Sequence, residues 1–485
     1  MNSNSNQSPL PQGGVGGGPD LIIIGAGPGG YRAAEFAAKA GLKVVIFESA
    51  EVGGTCLNEG CIPTKTYARN AEAVALMREA ATFGIHYAGD FSFSLAEARQ
   101  RKEEVIATLR SGIGTLLSHP NITLVKAEAR FVDAHTVAAD SETYTAPNII
   151  VATGSVPKTL RLNAPAACLD SRDLLQLDHL PKSLCIVGAG VIGMEFASIF
   201  STFGTEVTVV EFLKECLPAL DSDIAKRLRK VLEKRGVVFN LQSAVKEIRQ
   251  GDDTKVVVFE DKKGREQTVE AEQVLMAVGR APRVFDHFRN AGFEYDERRG
   301  ITVDDHMQTT VPGIYAIGDV NGRQMLAHAA VWQAKVAVES LTLNDESLEL
   351  SDFSSDTGVK SLNTQRSTLN AQTIPAAIFT SPEAACVGLT EDQLKEQGVA
   401  YECRKAFHRA NGKALAMNES EGMLKLLSEP GAGRILGCHA YGAHAADLIQ
   451  EASSLMCRQT TVEQLRQMVH IHPTLSEILL AAAEQ

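Results

Sequence analysis

The chain repeats itself, and the repeat restricts the fold more than any other feature. Leu21–Glu48, LIIIGAGPGGYRAAEFAAKAGLKVVIFE, aligns without a gap on Leu184–Glu211, LCIVGAGVIGMEFASIFSTFGTEVTVVE. Gly25, Gly27, Gly30, Gly41 and Glu48 fall on Gly188, Gly190, Gly193, Gly204 and Glu211. Each copy reads as an apolar strand, a glycine turn, a helix and a second apolar strand that ends in an acid. That is a βαβ unit, and it predicts a parallel sheet. One GxGxxG is a weak signal. Two copies, each between strand and helix and each with its acid about 20 residues on, are a strong one.

The physics of the two copies is the same. The first glycine permits a tight turn, the second lets backbone approach a pyrophosphate, and the third lets helix and strand pack closely. The helix N-terminus then offers N–H groups and the positive end of its dipole to phosphates. A carboxylate at Glu48 or Glu211 can accept from both ribose hydroxyls, whereas a 2′-phosphate would be repelled. Glu211, if it reads the second nucleotide, therefore favours NAD over NADP. A solvated strand end is the plainer reading of either glutamate, and the paired spacing weighs against it. Two such folds imply one tightly held cofactor and one that exchanges. A further strand pattern ends at Gly318–Asp319 and could set a carboxylate near a ribityl chain or pyrophosphate.

Between the first repeat and the next helix lies Gly53–Lys65, GGTCLNEGCIPTK. On a straight helix Cys56 and Cys61 would be turned about 140° apart and separated by about 7.5 Å of rise. A disulfide needs Cα atoms within about 7 Å, so the segment is not a regular helix if the two are joined. Gly60 supplies slack and Pro63 suits the first turn of the helix that follows. So short a loop gains little stability from a bridge, which points to reversible chemistry rather than bracing. Two unlinked structural thiols are the weaker alternative. The helix start favours thiolate at Cys61, and Lys65 lies one turn along on the same face. At the other end of the chain, His470, Ile471, His472 and Pro473 lead into TLSE. Pro473 is expected at the first helical position, with His472 at the helix start and Glu477 about one turn inside. A carboxylate bonded to one ring nitrogen fixes the tautomer and raises the basicity of the other.

Composition narrows the classes. With 485 residues, several domains are expected. Hydrophobic residues at 44% and charged residues at 22% are the balance of a soluble globular chain. No apolar run approaches the roughly 18 residues of a membrane helix. A net charge of -12 argues against nucleic acid or an anionic membrane as partner. Nine cysteines, an odd number and mostly scattered, point to a reducing compartment, read as the cytoplasm, and no metal cluster is expected. Met1–Gly18 carries no charged side chain, so it reads as a flexible tail rather than a secretory signal or presequence. The expected domains are a tail at 1–19, a first nucleotide domain at 20–155, a second at 156–283, the return of the first at 284–345, a polar insertion or linker at 346–372, and an α+β domain at 373–485.

These motifs together resemble the dihydrolipoamide dehydrogenase family, among the class I pyridine nucleotide-disulfide oxidoreductases. GGTCLNEGCIPTK is similar to that family's redox segment. GAGPGGY, ATGS, GAGVIGMEF, VEFL, AVGRAP, YAIGDV with MLAH, and HPTLSE follow in the family's order from Asp20 onward. The resemblance implies two Rossmann-like dinucleotide domains and a C-terminal α+β dimer-interface domain. It implies FAD at Gly25, Gly27, Gly30, Glu48, Gly54, Thr55, Thr153, Gly154 and Asp319, and NAD at Gly188, Gly190, Gly193 and Glu211. Gly279, Arg280, Met325, Leu326, Ala327 and His328 would lie near the cofactors. Lys65 would pair with Glu195 beside the flavin. Cys61 would be the flavin-side sulfur and Cys56 the interchange sulfur. His472 and Glu477 would be the acid–base dyad, completing the site of a second subunit in a homodimer, and His470 would be non-catalytic. The implied reaction is oxidation of dihydrolipoamide by NAD⁺, the lipoyl domain of a 2-oxo acid dehydrogenase or glycine cleavage complex being the partner.

The chain departs from the family at AAVWQA after MLAH, at the long polar stretch Leu343–Gln372 and in its tail. Two rivals remain. One is a reductase of another disulfide or of mercuric compounds; mercuric reductases end in a cysteine pair, whereas the last cysteine here is Cys457. Glutathione-type enzymes carry basic residues where Glu211 stands. The other rival is a non-catalytic flavoprotein, against which the intact Cys56, Cys61, His472 and Glu477 weigh.

Overall fold

The computed structural model describes residues 17–162, 166–343 and 373–485. The expected insertion at 346–372 and most of the tail lie outside the described residues. The chain divides into two compact units, Met1–Gly54 with Ser111–Gly154 and Pro282–Leu369, and Thr55–Arg110 with Ser155–Ala281 and Asn370–Gln485.

In the first unit five parallel strands lie in the order Ile314–Ala316, Asn148–Val151, Leu21–Ile24, Val44–Phe47, Ile122–Val125. Leu21–Ile24 and Val44–Phe47 are buried along their whole length, which is why they read as unbroken apolar runs. Helix Pro28–Lys39 buries Ala33, Ala34, Ala37 and Ala38, whose small side chains allow a close approach. Parallel pairing sets Ile24 level with Val151, and Val151 level with Ala316. Gly25, Thr153 and Gly318 therefore leave the sheet along one edge, the edge where open α/β sheets bind ligands.

The second unit contains the second repeat. Its parallel sheet runs Val238–Asn240, Glu206–Val210, Ser183–Val187, Gln273–Met276. Val187 is level with Val210 and with Met276, so Gly188, Glu211 and the turn toward Gly279 share an edge. Thus both repeats form the βαβ units their sequence predicts. The C-terminal segment adds a five-stranded antiparallel sheet in the order Ala376–Ile378, Glu383–Gly388, Ile435–Gly442, Met423–Ser428, Glu402–Phe407. One apolar cluster joins Tyr67 of helix Cys61–Arg78 and Phe196, Phe200 and Phe203 of helix Val191–Phe203 to Ile378, Met423 and Tyr441 of this sheet. A buried ionic group crosses the same unit: Lys425 Nζ lies 2.8 Å from both oxygens of Asp221 and 2.5 Å from Glu391.

A charged helix runs from Leu95 to Leu117. Ser94 Oγ accepts from the Glu97 N–H and closes the first turn, while Phe93 stacks on Phe203 with centroids 4.1 Å apart.

Candidate active site

After Gly53 (φ 99°) and Gly54 (φ 58°) the chain makes a short helix, Gly54–Asn58, breaks at Gly60, and restarts as Cys61–Arg78. Gly60 sits at φ -138°, ψ -106°, and a Cβ there would stand 3.0 Å from the Thr55 carbonyl oxygen. Cys56 thus rides on one helix and Cys61 opens the next. The loop between them is held from outside. Arg110 donates to Asn58 Oδ1 at 3.2 and 2.7 Å, and Arg172 pairs with Glu59 at 3.0 Å.

Both sulfurs are free thiols, half-buried and hydrogen-bonded to each other. The Cys56 thiol donates to Cys61. That bond, with the Lys65 ammonium behind it, holds Cys61 down to about 7 against the opposing effect of burial. The same bond, reinforced by burial, pushes Cys56 far up. Of the two sulfurs Cys61 is therefore the one that ionises first, while Cys56 keeps the proton of the pair. Lys65 Nζ in turn donates to Glu195 at 2.9 and 3.0 Å, and Glu195 is buried. Sequence reasoning missed what fixes this ion pair. The Phe379 N–H donates to Glu195 Oε1 at 2.9 Å, and the Phe379 ring lies 4.7 Å beneath Lys65 Nζ. No local pattern marks Phe379, because its role depends on a residue 184 positions away.

At the C-terminus His472 Nδ1 and Glu477 Oε1 are 2.9 Å apart. The position expected for Pro473 is corrected: the last helix, Glu477–Ala483, starts four residues later, with Ser476 before it. The reason is Glu477 itself, whose Oε2 accepts from the Thr474 N–H at 2.8 Å and so closes a turn ahead of the helix. This bond, then that to His472, holds the Glu477 carboxyl below its usual range. His470 pairs with Glu451 at 2.9 Å and is nearly enclosed, whereas the His472 side chain is 79% exposed.

The glycines test whether dinucleotides fit. Gly25 and Gly188 both lie at φ +104°, and a Cβ on Gly30 or Gly193 would fall 1.8 or 2.0 Å from the carbonyl oxygen of Gly25 or Gly188. Those four are required by the fold. Gly27 and Gly190 are not. Their φ values are -71° and -74°; a Cβ on Gly27 would meet only Gly54 Cα at 3.9 Å, and one on Gly190 nothing within 4 Å. Each stands at the N-terminus of a helix with no side-chain cap, facing open space. A phosphate fits there, since the missing side chain leaves the backbone N–H groups open to it. Beside each cradle the acid is already oriented. Glu48 accepts from Ala26 and Ala50 N–H groups, both at 2.8 Å, and Glu211 from Ala189 at 2.5 Å and Leu213 at 2.7 Å. Each carboxylate keeps lone pairs for two hydroxyls.

The remaining expected residues are distributed as follows. Thr153 Oγ1 donates to the Arg283 carbonyl at 2.8 Å, Gly154 has φ 76°, and Asp319 lies half-buried in the turn Gly318–Asn321. Met325 and Leu326 precede helix Ala327–Leu343, whose first turn carries His328 at the surface. In the second unit Gly279 has φ 103°, and Arg280 donates to the Ser155 hydroxyl and carbonyl at 2.7 and 2.8 Å.

Comparison with known proteins gives matches along nearly the whole chain. Residues 19–334 match the family model described as pyridine nucleotide-disulphide oxidoreductase, and 374–483 match that family's dimerisation domain. The dihydrolipoyl dehydrogenase of Mycobacterium tuberculosis (strain ATCC 25618 / H37Rv) is 38% identical over 477 residues, 95% of this chain and 96% of its own. That of Mycoplasma pneumoniae is 34% identical over 466 residues, with 95% and 96% covered. Among solved structures, LpdA from Mycobacterium tuberculosis superposes with a TM-score of 0.84 at 26% identity. The HOCl-induced flavoprotein disulfide reductase RclA from Escherichia coli gives 0.81 at 28%. Both cover 96% of this chain and 99% of their own.

Proposed function

Because the chain belongs to the pyridine nucleotide-disulphide oxidoreductase family, we propose that it catalyses the dihydrolipoyl dehydrogenase reaction, oxidising dihydrolipoamide to lipoamide and reducing NAD⁺. The observation that carries this is the half-buried, mutually hydrogen-bonded Cys56–Cys61 pair, in which Cys61 ionises first, beside the Lys65–Glu195 ion pair. FAD is the bound cofactor; Gly25, Gly27, Gly30, Glu48, Thr153, Gly154, Asp319 and the segment Met325–His328 would hold it. When bound, it supplies the two-electron relay between thiols and nicotinamide. Gly188, Gly190, Gly193 and Glu211 would hold NAD.

In the oxidised enzyme Cys56 and Cys61 form a disulfide. His472, its tautomer fixed by Glu477, takes the proton of one substrate thiol. The substrate thiolate attacks Cys56, the S–S bond breaks, and Cys61 leaves as thiolate, which its low ionisation point stabilises. The second substrate sulfur then closes the lipoyl ring, and Cys56 is released and protonated. The substrate has lost two electrons and two protons. The cysteine pair holds both electrons and one proton, which stays on Cys56 because Cys61 is the sulfur that ionises first, and the other proton goes to solvent through His472.

A homodimer supports this chemistry. The segment bearing His472 exposes Val469 at 98% and Ile471 at 79%, an apolar strip that a second copy would cover while receiving the base. The dithiol would arrive on the lipoyl domain of a 2-oxo acid dehydrogenase or glycine cleavage complex. Nine cysteines, an odd number and mostly scattered singly, support a reducing, cytoplasmic setting, and no helix among the described residues is long and apolar enough to cross a membrane. The test is turnover of dihydrolipoamide by the flavin-loaded enzyme with NAD⁺ and NADP⁺ in parallel, beside Cys56→Ser. NAD⁺ turnover that disappears in the variant is expected. Full turnover by the variant would end this reading, and a preference for NADP⁺ would favour the reductase of another disulfide.

A further inference from the structure

The second glycine cradle has an apolar rim that the first lacks. Phe212 is the most exposed aromatic side chain among the described residues, at 72%, and it directly follows Glu211. Val191 and Leu213 beside the same cradle are each 42% exposed. A ring on a loose loop would fold back onto the protein, but this backbone is tied on both sides of the ring. Glu211 donates its N–H to the Asn240 carbonyl and accepts at its own carbonyl from Ser243, both at 2.8 Å. The Leu213 carbonyl accepts from Gln242 at 3.0 Å, and its N–H donates to the Glu211 carboxylate at 2.7 Å. Phe212 is therefore held out in water. In the first repeat the matching residues are Ser49 and, for Val191, Pro28. The two copies agree in every cradle glycine and in the acid, and differ here.

The place of the ring along a dinucleotide follows from the cradle. The open space at Gly190 takes the pyrophosphate, and Glu211 takes the ribose hydroxyls. The ribose read by such an acid is the one that carries the extra phosphate in NADP, so its base is adenine. That base projects past the sugar, on the side where the chain has gone one residue beyond Glu211. We propose that Phe212 is the adenine platform of the second nucleotide site, stacking on the purine face with Leu213 at its edge. This rests on the assignment of NAD to the second cradle. Stacking needs no directed hydrogen bond and lets a ligand come and go, which suits the exchanging nucleotide. The tightly held one has a serine at the equivalent place. A bare ring also leaves the choice between NAD and NADP wholly to Glu211.

The experiment is calorimetric titration of the flavin-loaded enzyme with ADP-ribose and with NADH, for wild type, Phe212→Ala, Phe212→Tyr and Gly190→Val. Phe212→Ala is expected to weaken both ligands by the same factor, about tenfold, as loss of one base–aromatic stack does. Phe212→Tyr should bind as wild type, Gly190→Val should bind neither ligand, and the melting temperature of the Phe212 variants should be unchanged. If Phe212→Ala binds ADP-ribose normally while Gly190→Val does not, the platform is refuted and the NAD assignment stands. If NADH alone is weakened, the ring belongs to the nicotinamide end and the proposal is overturned. If Gly190→Val binds ADP-ribose normally, the NAD assignment itself falls.

Discussion

Replacing Cys56 by alanine removes the donor that shapes the thiol pair. Cys61 is held down to about 7 from an ordinary 9.0, and the hydrogen bond from Cys56 is the first cause, ahead of Lys65. At pH 7 a thiol of pKa about 7 is about half ionised and one of pKa about 9 about 1% ionised, so losing the whole effect lowers the thiolate population about fiftyfold. Burial, which stays in the variant, pushes in the same upward direction, while Lys65 retains part of the depression. The assay is the pH dependence of iodoacetamide alkylation of Cys61 in the reduced enzyme, read from the mass of the peptide that contains it. Wild type should show a midpoint near 7. Cys56→Ala should move the midpoint toward 9 and slow alkylation at pH 7 by more than about fivefold, while Cys56→Ser, which keeps an O–H donor, should move it less. A midpoint unchanged in Cys56→Ala would refute the shared-proton picture and leave Lys65 or the helix start as the origin.

Two further outcomes concern stability. Lys425→Met strands Asp221, whose side chain is wholly buried, together with Glu391, and should cost about 3–5 kcal/mol in urea unfolding. Adding Asp221→Asn should restore part of it, and a loss below about 1 kcal/mol would remove the ionic group from the account. His439 is fully buried, its Nε2 2.9 Å from the Leu389 carbonyl and its Nδ1 without a partner, and burial lowers its pKa. The unfolded chain therefore binds a proton that the folded ring refuses. Stability is at its full value above about pH 6.5 and declines as pH falls below it, by up to about 1.4 kcal/mol per pH unit. His439→Leu should flatten that slope in melts between pH 5 and 7.5, and an unchanged slope would exclude His439 as its source.

The parts of the molecule legible in the sequence are those encoded over short distances. Glycine spacing set both cradles because φ near +104° at Gly25 and Gly188 is a local demand, and the clash avoided at Gly30 and Gly193 lies five residues back. The break at Gly60 was legible for the same reason, two sulfurs five residues apart being unable to meet on one helix. Lys65 and Glu195 are 130 positions apart, and only resemblance to a family joined them. Nothing joined Phe379 to them, nor Lys425 to Asp221 across 204 positions, because such pairs exist only after the sheets have packed. The last helix starts a few residues later than Pro473 implies, because the Glu477 carboxylate accepts from Thr474 as well as bonding His472, an arrangement that propensity does not encode.

The apolar cluster that runs from Tyr67 through Phe196 to Met423 and Tyr441 bears on how this chain can be cut and recombined. Its C-terminal sheet is not a portable module. A truncation before Asn370 would uncover the side chains against which Tyr67 and the helix of the thiol pair are seated. Chimaeras that exchange the last hundred or so residues with a relative would therefore have to bring along matching apolar partners from Thr55–Arg110 and from the second repeat, or inherit a hole beneath the cysteines.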